Sequence, residues 1–172
     1  MTVLLSFGHG YSAQALAELL LPRGWRIIGT SRTPDKRAQP GVDMVRFPGG
    51  DMSAALDQAT HVLISAGPGA DGDPVLRELR DDIAKRRFDW VGYLSTTGVY
   101  GNHDGGWVDE NTALTPSTQR GQWRVAAEAE WQSLNLPLHI FRLAGIYGPG
   151  RGPFAKVRDG TARRPRRRAP SR

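Results

Sequence analysis

One stretch near the start limits what this chain can become. Val3, Leu4, Leu5 and Phe7 form a short apolar run, as a strand buried on both faces of a parallel sheet does. Gly8-His9-Gly10-Tyr11-Ser12-Ala13 follows without a break, and Ala15, Leu16, Leu19 and Leu20 then recur at helical spacing. Strand, Gly-x-Gly-x-x-Ala turn and helix are the parts of a dinucleotide-binding fingerprint with alanine in its third place. Each position has a physical task. Gly8 permits the sharp turn, Gly10 lets a pyrophosphate approach the backbone, and Ala13 keeps the helix close to the sheet. The free amides at the helix start, including those of Tyr11 and Ser12, face the phosphates.

The rest of the chain repeats the pattern. Apolar segments at 25–30, 44–47, 61–65, 90–95 and 138–142 read as strands. Helices are expected from Ser12 to Leu21, Asp51 to Ala59, Asp73 to Arg87, within Pro116 to Leu134, and from Pro153 to Asp159. Asp51 and Asp73 stand as caps, and Pro74 occupies the first turn of its helix. This alternation predicts an α/β fold: a Rossmann-type doubly wound parallel sheet of strand order 3-2-1-4-5-6. Ligands of such sheets bind at the carboxyl ends of the strands, which puts Ser65 and Ala66 beside the adenosine or its ribose.

The second strand ends in Ser31-Arg32, about 20 residues beyond the glycine turn, where an acid normally accepts from the 2′-hydroxyl of NAD. A hydroxyl and a guanidinium donate to a 2′-phosphate instead, and no carboxylate is there to repel it. The expected cofactor is therefore NADP, with NAD less favoured.

Charge is unevenly placed. The net charge is +6, but six of the 23 basic residues are arginines between Thr161 and Arg172. Without them basic and acidic residues balance at 17 each. Residues 1–160 are read as one NAD(P)-binding domain and 161–172 as a disordered arginine-rich tail. Nucleic-acid binding would rest on that tail's charge alone. The chain has no cysteine, no run near the roughly 20 apolar residues of a membrane span, and no histidines at metal-ligand spacing. No membrane partner and no metal is expected, and the location is read as cytoplasmic.

Three further stretches complete the pattern: Leu94-Ser95-Thr96-Thr97-Gly98-Val99-Tyr100-Gly101, Asp109-Glu110, and Arg142-Leu-Ala-Gly-Ile-Tyr147-Gly-Pro-Gly150. With the glycine turn they resemble the short-chain dehydrogenase/reductase superfamily, in particular its extended and atypical branch of NAD-dependent epimerase/dehydratase-like proteins. The resemblance runs from residue 1 to about 160. It implies an oxidoreductase-type domain exchanging hydride with a carbonyl or alcohol, on a substrate that is unknown but of nucleotide-sugar-like class. It also implies that Thr96 orients the substrate oxygen and that homodimers form through the helices holding 74–87 and 117–134.

The resemblance breaks in two places. Its catalytic helix carries Tyr-Gly-x-x-Lys-x-x-x-Glu, and this chain has Arg120-Gly121-Gln-Trp-Arg124-Val-Ala-Ala-Glu128. A guanidinium, with a pKa above about 12, does not cycle as acid and base near neutrality. Arg124 either takes the lysine's place on the cofactor or pairs with Glu128 on an exposed helix face. The alternative to an enzyme is a non-catalytic NADP-binding or sensor protein. The chain also stops where related proteins continue with a further strand and a region closing over the substrate, so a truncated or frame-shifted reading is expected rather than a genuine basic extension.

Overall fold

The computed structural model describes residues 1–163; residues 164–172, on which most of the expected arginine tail falls, lie outside the described residues. Six strands form the sheet: β1 Val3–Phe7, β2 Arg26–Ser31, β3 Val42–Arg46, β4 His61–Ile64, β5 Trp90–Thr96 and β6 Leu138–Leu143. Every pairing is parallel and the order is β3-β2-β1-β4-β5-β6. Among the described residues five α-helices connect and flank them: α1 Tyr11–Leu20, α2 Ser53–Gln58, α3 Pro74–Ala84, α4 Gln119–Gln132 and α5 Pro153–Arg158. This is the doubly wound Rossmann-type architecture that the alternating sequence implies.

Alternation along β1 divides the core between two faces. Val3, Leu5 and Phe7 join Ile28, Val62, Ile64, Val91 and Tyr93 under α2, α3 and α4, which contribute Leu56, Val75, Ile83 and Trp131. Leu4 turns to the opposite face with Ile27 and Leu63 and packs on Ala13 and Ala17 of α1. Ala13 is 1% exposed, so the small side chain brings α1 onto the sheet.

Tertiary ties hold α3 and α4 where the cleft needs them. Asp73 is buried, and its Oδ1 accepts from the amides of Val75 and Leu76 at 2.8 and 3.1 Å. Its Oδ2 accepts from the indole of Trp131 on α4 at 3.2 Å. One carboxylate thus caps a helix and binds its neighbour.

Most boundaries shift by a residue or so from the sequence expectation, and three of the shifts have a packing or pairing reason. Helix α3 ends at Ala84 rather than Arg87, because Phe88 turns into the core. Helix α2 begins at Ser53 because Met52 is buried, and Asp51 accepts from Ser53 N at 2.9 Å just outside the helix. Strand β3 starts at Val42, where pairing with Ile27 extends it two residues before Met44.

Candidate functional site

The glycine turn lies at the carboxyl edge of β1 and is fixed from both sides. Gly8 has φ +78°, and a Cβ there would stand 2.8 Å from the amide nitrogen of Ala66, so only glycine fits. The Gly8 amide donates to Thr30 Oγ1 at 3.0 Å. From the β4 side, the amides of Ser65 and Ala66 donate to Phe7 O at 2.9 and 3.1 Å. The Ser65 hydroxyl reaches Gly8 O and Phe7 O. Gly10 flanks the start of α1 and no side chain caps that first turn, which leaves its amides for a ligand.

The turn separates a cleft into two lobes, and Gly8 and Gly10 border both. The first, about 480 Å³, is lined by His9, Thr30, Ser31, Arg32, Phe47 and Ala66 among others. Arg32 is exposed at its rim. Ser31 Oγ accepts from the amide of Thr33 at 3.1 Å. The second lobe, about 280 Å³, is lined by Tyr11, Ser12, Ser65, Thr96, Arg124 and Arg151 with neighbouring apolar groups. Ser65 and Ala66, read together from the sequence, therefore border different lobes, and the Ser65 hydroxyl is engaged with the turn itself.

Thr96 ends β5, and its Oγ1 accepts from Gly98 N at 3.1 Å, which leaves the hydroxyl proton for another acceptor. Arg124 reaches the same lobe from α4. Its Nη1 donates to Leu94 O at 2.7 Å and to the Tyr93 hydroxyl at 3.2 Å, and the guanidinium lies 5.6 Å from the Tyr93 ring centre. Burial pushes the Tyr93 phenol up from its ordinary range, opposed by the Arg124 charge. Arg120 is exposed and lines neither lobe.

The expected alternative of an Arg124–Glu128 pair on an exposed face is corrected by these contacts. Glu128 is 1% exposed and faces β6. It accepts from Arg142 Nη2 at 2.9 Å, from Arg142 Nε at 3.2 Å, and from the Ser95 hydroxyl. Arg142 Nη1 continues to the Tyr100 hydroxyl at 2.9 Å and Glu110 O at 3.3 Å. The carboxylate holds the Arg142 guanidinium above its ordinary range. Ser95, Tyr100, Glu110 and Arg142, from the three motif stretches, thus meet around the Glu128–Arg142 pair: Ser95 on the carboxylate, Tyr100 and Glu110 on the guanidinium. Their shared task is to tie β5, the loop after it and β6 to α4.

Three features escaped the sequence reading. His9, between the two glycines, is buried, and its Nε2 lies 2.8 Å from Gln39 Oε1, while Gln39 donates to Gln14 O at 3.2 Å. Its ring requires a glycine opposite: a Cβ on Gly29 would stand 2.7 Å from His9 Cγ. Tyr11, expected at the pyrophosphate, donates its hydroxyl to Pro149 O at 3.2 Å and so clamps the turn after β6 to α1. Arg151 follows that turn and lies 5.3 Å from the Tyr11 ring centre. No local spacing marks Arg151, but the Tyr-Gly-Pro-Gly stretch ahead of it gives its place.

No family model matches the chain. The protein YeeZ of Escherichia coli K12 is 32% identical over 170 residues, covering 85% of this chain. The chain spans 59% of the length of that curated relative. A conserved protein of unknown function from Silicibacter pomeroyi superposes with a TM-score of 0.85 at 60% identity, over 91% of this chain and 57% of that one. UDP-glucuronic acid 4-epimerase from Bacillus cereus, solved with NAD, superposes with a TM-score of 0.72 at 20% identity, over 86% of this chain and 58% of its own. The fold is that of the NAD-dependent epimerase/dehydratase proteins, as the sequence resemblance implied. Among the described residues no helix is long and apolar enough to cross a membrane.

Proposed function

We propose that the chain is a nicotinamide-dinucleotide-binding domain of the extended short-chain dehydrogenase/reductase type. The observation that carries this reading is the two-lobed cleft parted by Gly8 and Gly10 at an uncapped helix start. The residues present fit the group: a turn whose Gly8 admits no side chain, open first-turn amides for a pyrophosphate, and a lobe on each side for a nucleoside. Gly8, Gly10, Tyr11, Ser12 and Ala13 form or support the phosphate cradle, Ala66 lines the adenosine lobe, and Ser65 braces the turn. Ser31 and Arg32 would take the 2′-phosphate of NADP, since no carboxylate lines that lobe. The NAD-bound neighbours favour NAD, and at about 20% identity they leave the rim of this chain to its own residues.

When bound, the nicotinamide supplies hydride exchange with a carbonyl or alcohol. Thr96 would then donate its hydroxyl to the substrate oxygen, and Arg124, its Nη1 fixed to Leu94 O, would stand between the nicotinamide ribose and the substrate. A second reading, a non-catalytic NADP binder or sensor, is favoured by the lining of the second lobe. It contains hydroxyls and arginines but no histidine, lysine or carboxylate to pass a proton near neutrality. The proposal extends to a cytoplasmic protein pairing through α3 and α4.

The two readings separate on turnover. Consumption of NADPH on a panel of ketones and aldehydes by the unaltered chain supports catalysis. Tight cofactor binding without turnover, with activity appearing only in the Arg120→Tyr/Arg124→Lys double variant, supports the binding role.

A further inference from the structure

We infer that the second lobe is built for a substrate whose negative charge lies beside its reacting carbon, a carboxylate or phosphate taken between Arg124 and Arg151. This rests on the dinucleotide reading and adds a substrate class to it. The lining of the lobe carries two guanidinium groups and no carboxylate. Among the described residues neither arginine is in a salt bridge, whereas Arg26, Arg86 and Arg142 each have an acid within 4.0 Å. The two charges reach the lobe from different elements, Arg124 held by hydrogen bonds and Arg151, which is exposed, set against the Tyr11 ring. Arg124 spends Nη1 on Leu94 O and Tyr93, which fixes the plane of its fork, and its Nη2 lies 3.2 Å from where a Gly67 Cβ would stand. Arg151 rests over the ring of Tyr11, and its backbone is bridged to Gly148 in both directions at 2.7 and 2.9 Å.

The cofactor phosphates have a separate place. Gly8 and Gly10 border both lobes, so a pyrophosphate on the α1 amides sits at their junction. Thr96, Arg124 and Arg151 border only the second lobe, where Thr96 would orient the substrate oxygen. A guanidinium fork matches the paired oxygens of a carboxylate or phosphate. With one such group beside Thr96, the charge stands next to the reacting carbon. A nucleotide of a neutral sugar, by contrast, carries its charge only in a distant diphosphate.

The test uses the full chain saturated with NADPH and three probes of similar size: a 2-oxo acid, a phosphorylated ketose and a neutral ketone, followed by saturation-transfer NMR and cofactor fluorescence. Binding of the oxo acid or the phosphate, with the neutral ketone weaker, is expected, and the two anionic arms tell carboxylate from phosphate. Arg151→Gln should weaken the anion by about tenfold, as loss of one charge-assisted contact implies, while NADPH affinity stays within about twofold. Arg151→Lys should recover part of the loss. Equal binding of the neutral ketone, no binding of either anion to the loaded protein, or a parallel loss of NADPH and anion in Arg151→Gln would overturn the inference. Failure to bind any dinucleotide is a different result, which removes the functional reading beneath it.

Discussion

Replacing Glu128 with glutamine keeps the shape of the side chain and removes the charge around which Arg142 is arranged. The carboxylate is 1% exposed and the Arg142 side chain 16% exposed. Two guanidinium nitrogens and one serine hydroxyl point at it. A glutamine offers them one oxygen, and its amide donors would face other donors. Removing one partner of a buried pair costs about 3 to 5 kcal/mol. Arg142 keeps its bonds to Tyr100 and Glu110 and some solvent, which places Glu128→Gln near the lower end, about 3 kcal/mol. For a chain of 172 residues that is a fall in Tm of about 6 to 12 °C. Urea unfolding followed by tryptophan fluorescence gives the free energy directly. Glu128→Gln/Arg142→Met should lose less than the sum of its parts, because no charge is left buried alone. A loss below about 1 kcal/mol in the single variant would refute the assignment of this pair as the tie between α4 and β6.

Other expectations follow from the same contacts. Asp73→Ala removes a helix cap and leaves the Trp131 indole unpaired, a cost of about 2 to 4 kcal/mol measurable by urea unfolding. Gly8→Ala forces a side chain into a left-handed turn against Ala66, and a dinucleotide titration should show cofactor affinity falling at least about tenfold. Arg32→Gln should weaken NADPH by about tenfold and leave NADH within about twofold, as competition titrations would register. Because burial raises the Tyr93 pKa above its unfolded value of 10.0, the unfolded chain releases that proton first as pH rises. The contribution of Tyr93 is therefore complete below about pH 10 and is lost above it. Urea midpoints measured across that range should fall less steeply for Tyr93→Phe.

The sheet order was legible because parallel strands buried on both faces are written as uniform apolar runs, and the glycine turn identifies the first of them. The cleft's position followed from the same turn. Partners made across the fold were not legible. Glu128 stands four residues from Arg124, which suggests a local pair, yet its partner is Arg142 on another element. Helical spacing records which residues share a face and not what that face meets. His9 falls at a position that the glycine pattern leaves open, and its fit depends on Gly29 in the next strand. Phe88 shortened α3 because the chain leaving the helix must return to the core. Ser65 lay where a ligand contact was expected, but a hydroxyl beside two carbonyl oxygens of the glycine turn satisfies those first.

The most direct measurement is calorimetric titration of the chain with NADPH and NADH, with Gly8→Ala as the control. Saturable one-to-one binding is expected, tighter for NADPH, and Gly8→Ala should remove it while the protein stays folded. Absence of saturable heat with both dinucleotides, or unchanged binding in a folded Gly8→Ala variant, would contradict the claim that this cleft is a dinucleotide site.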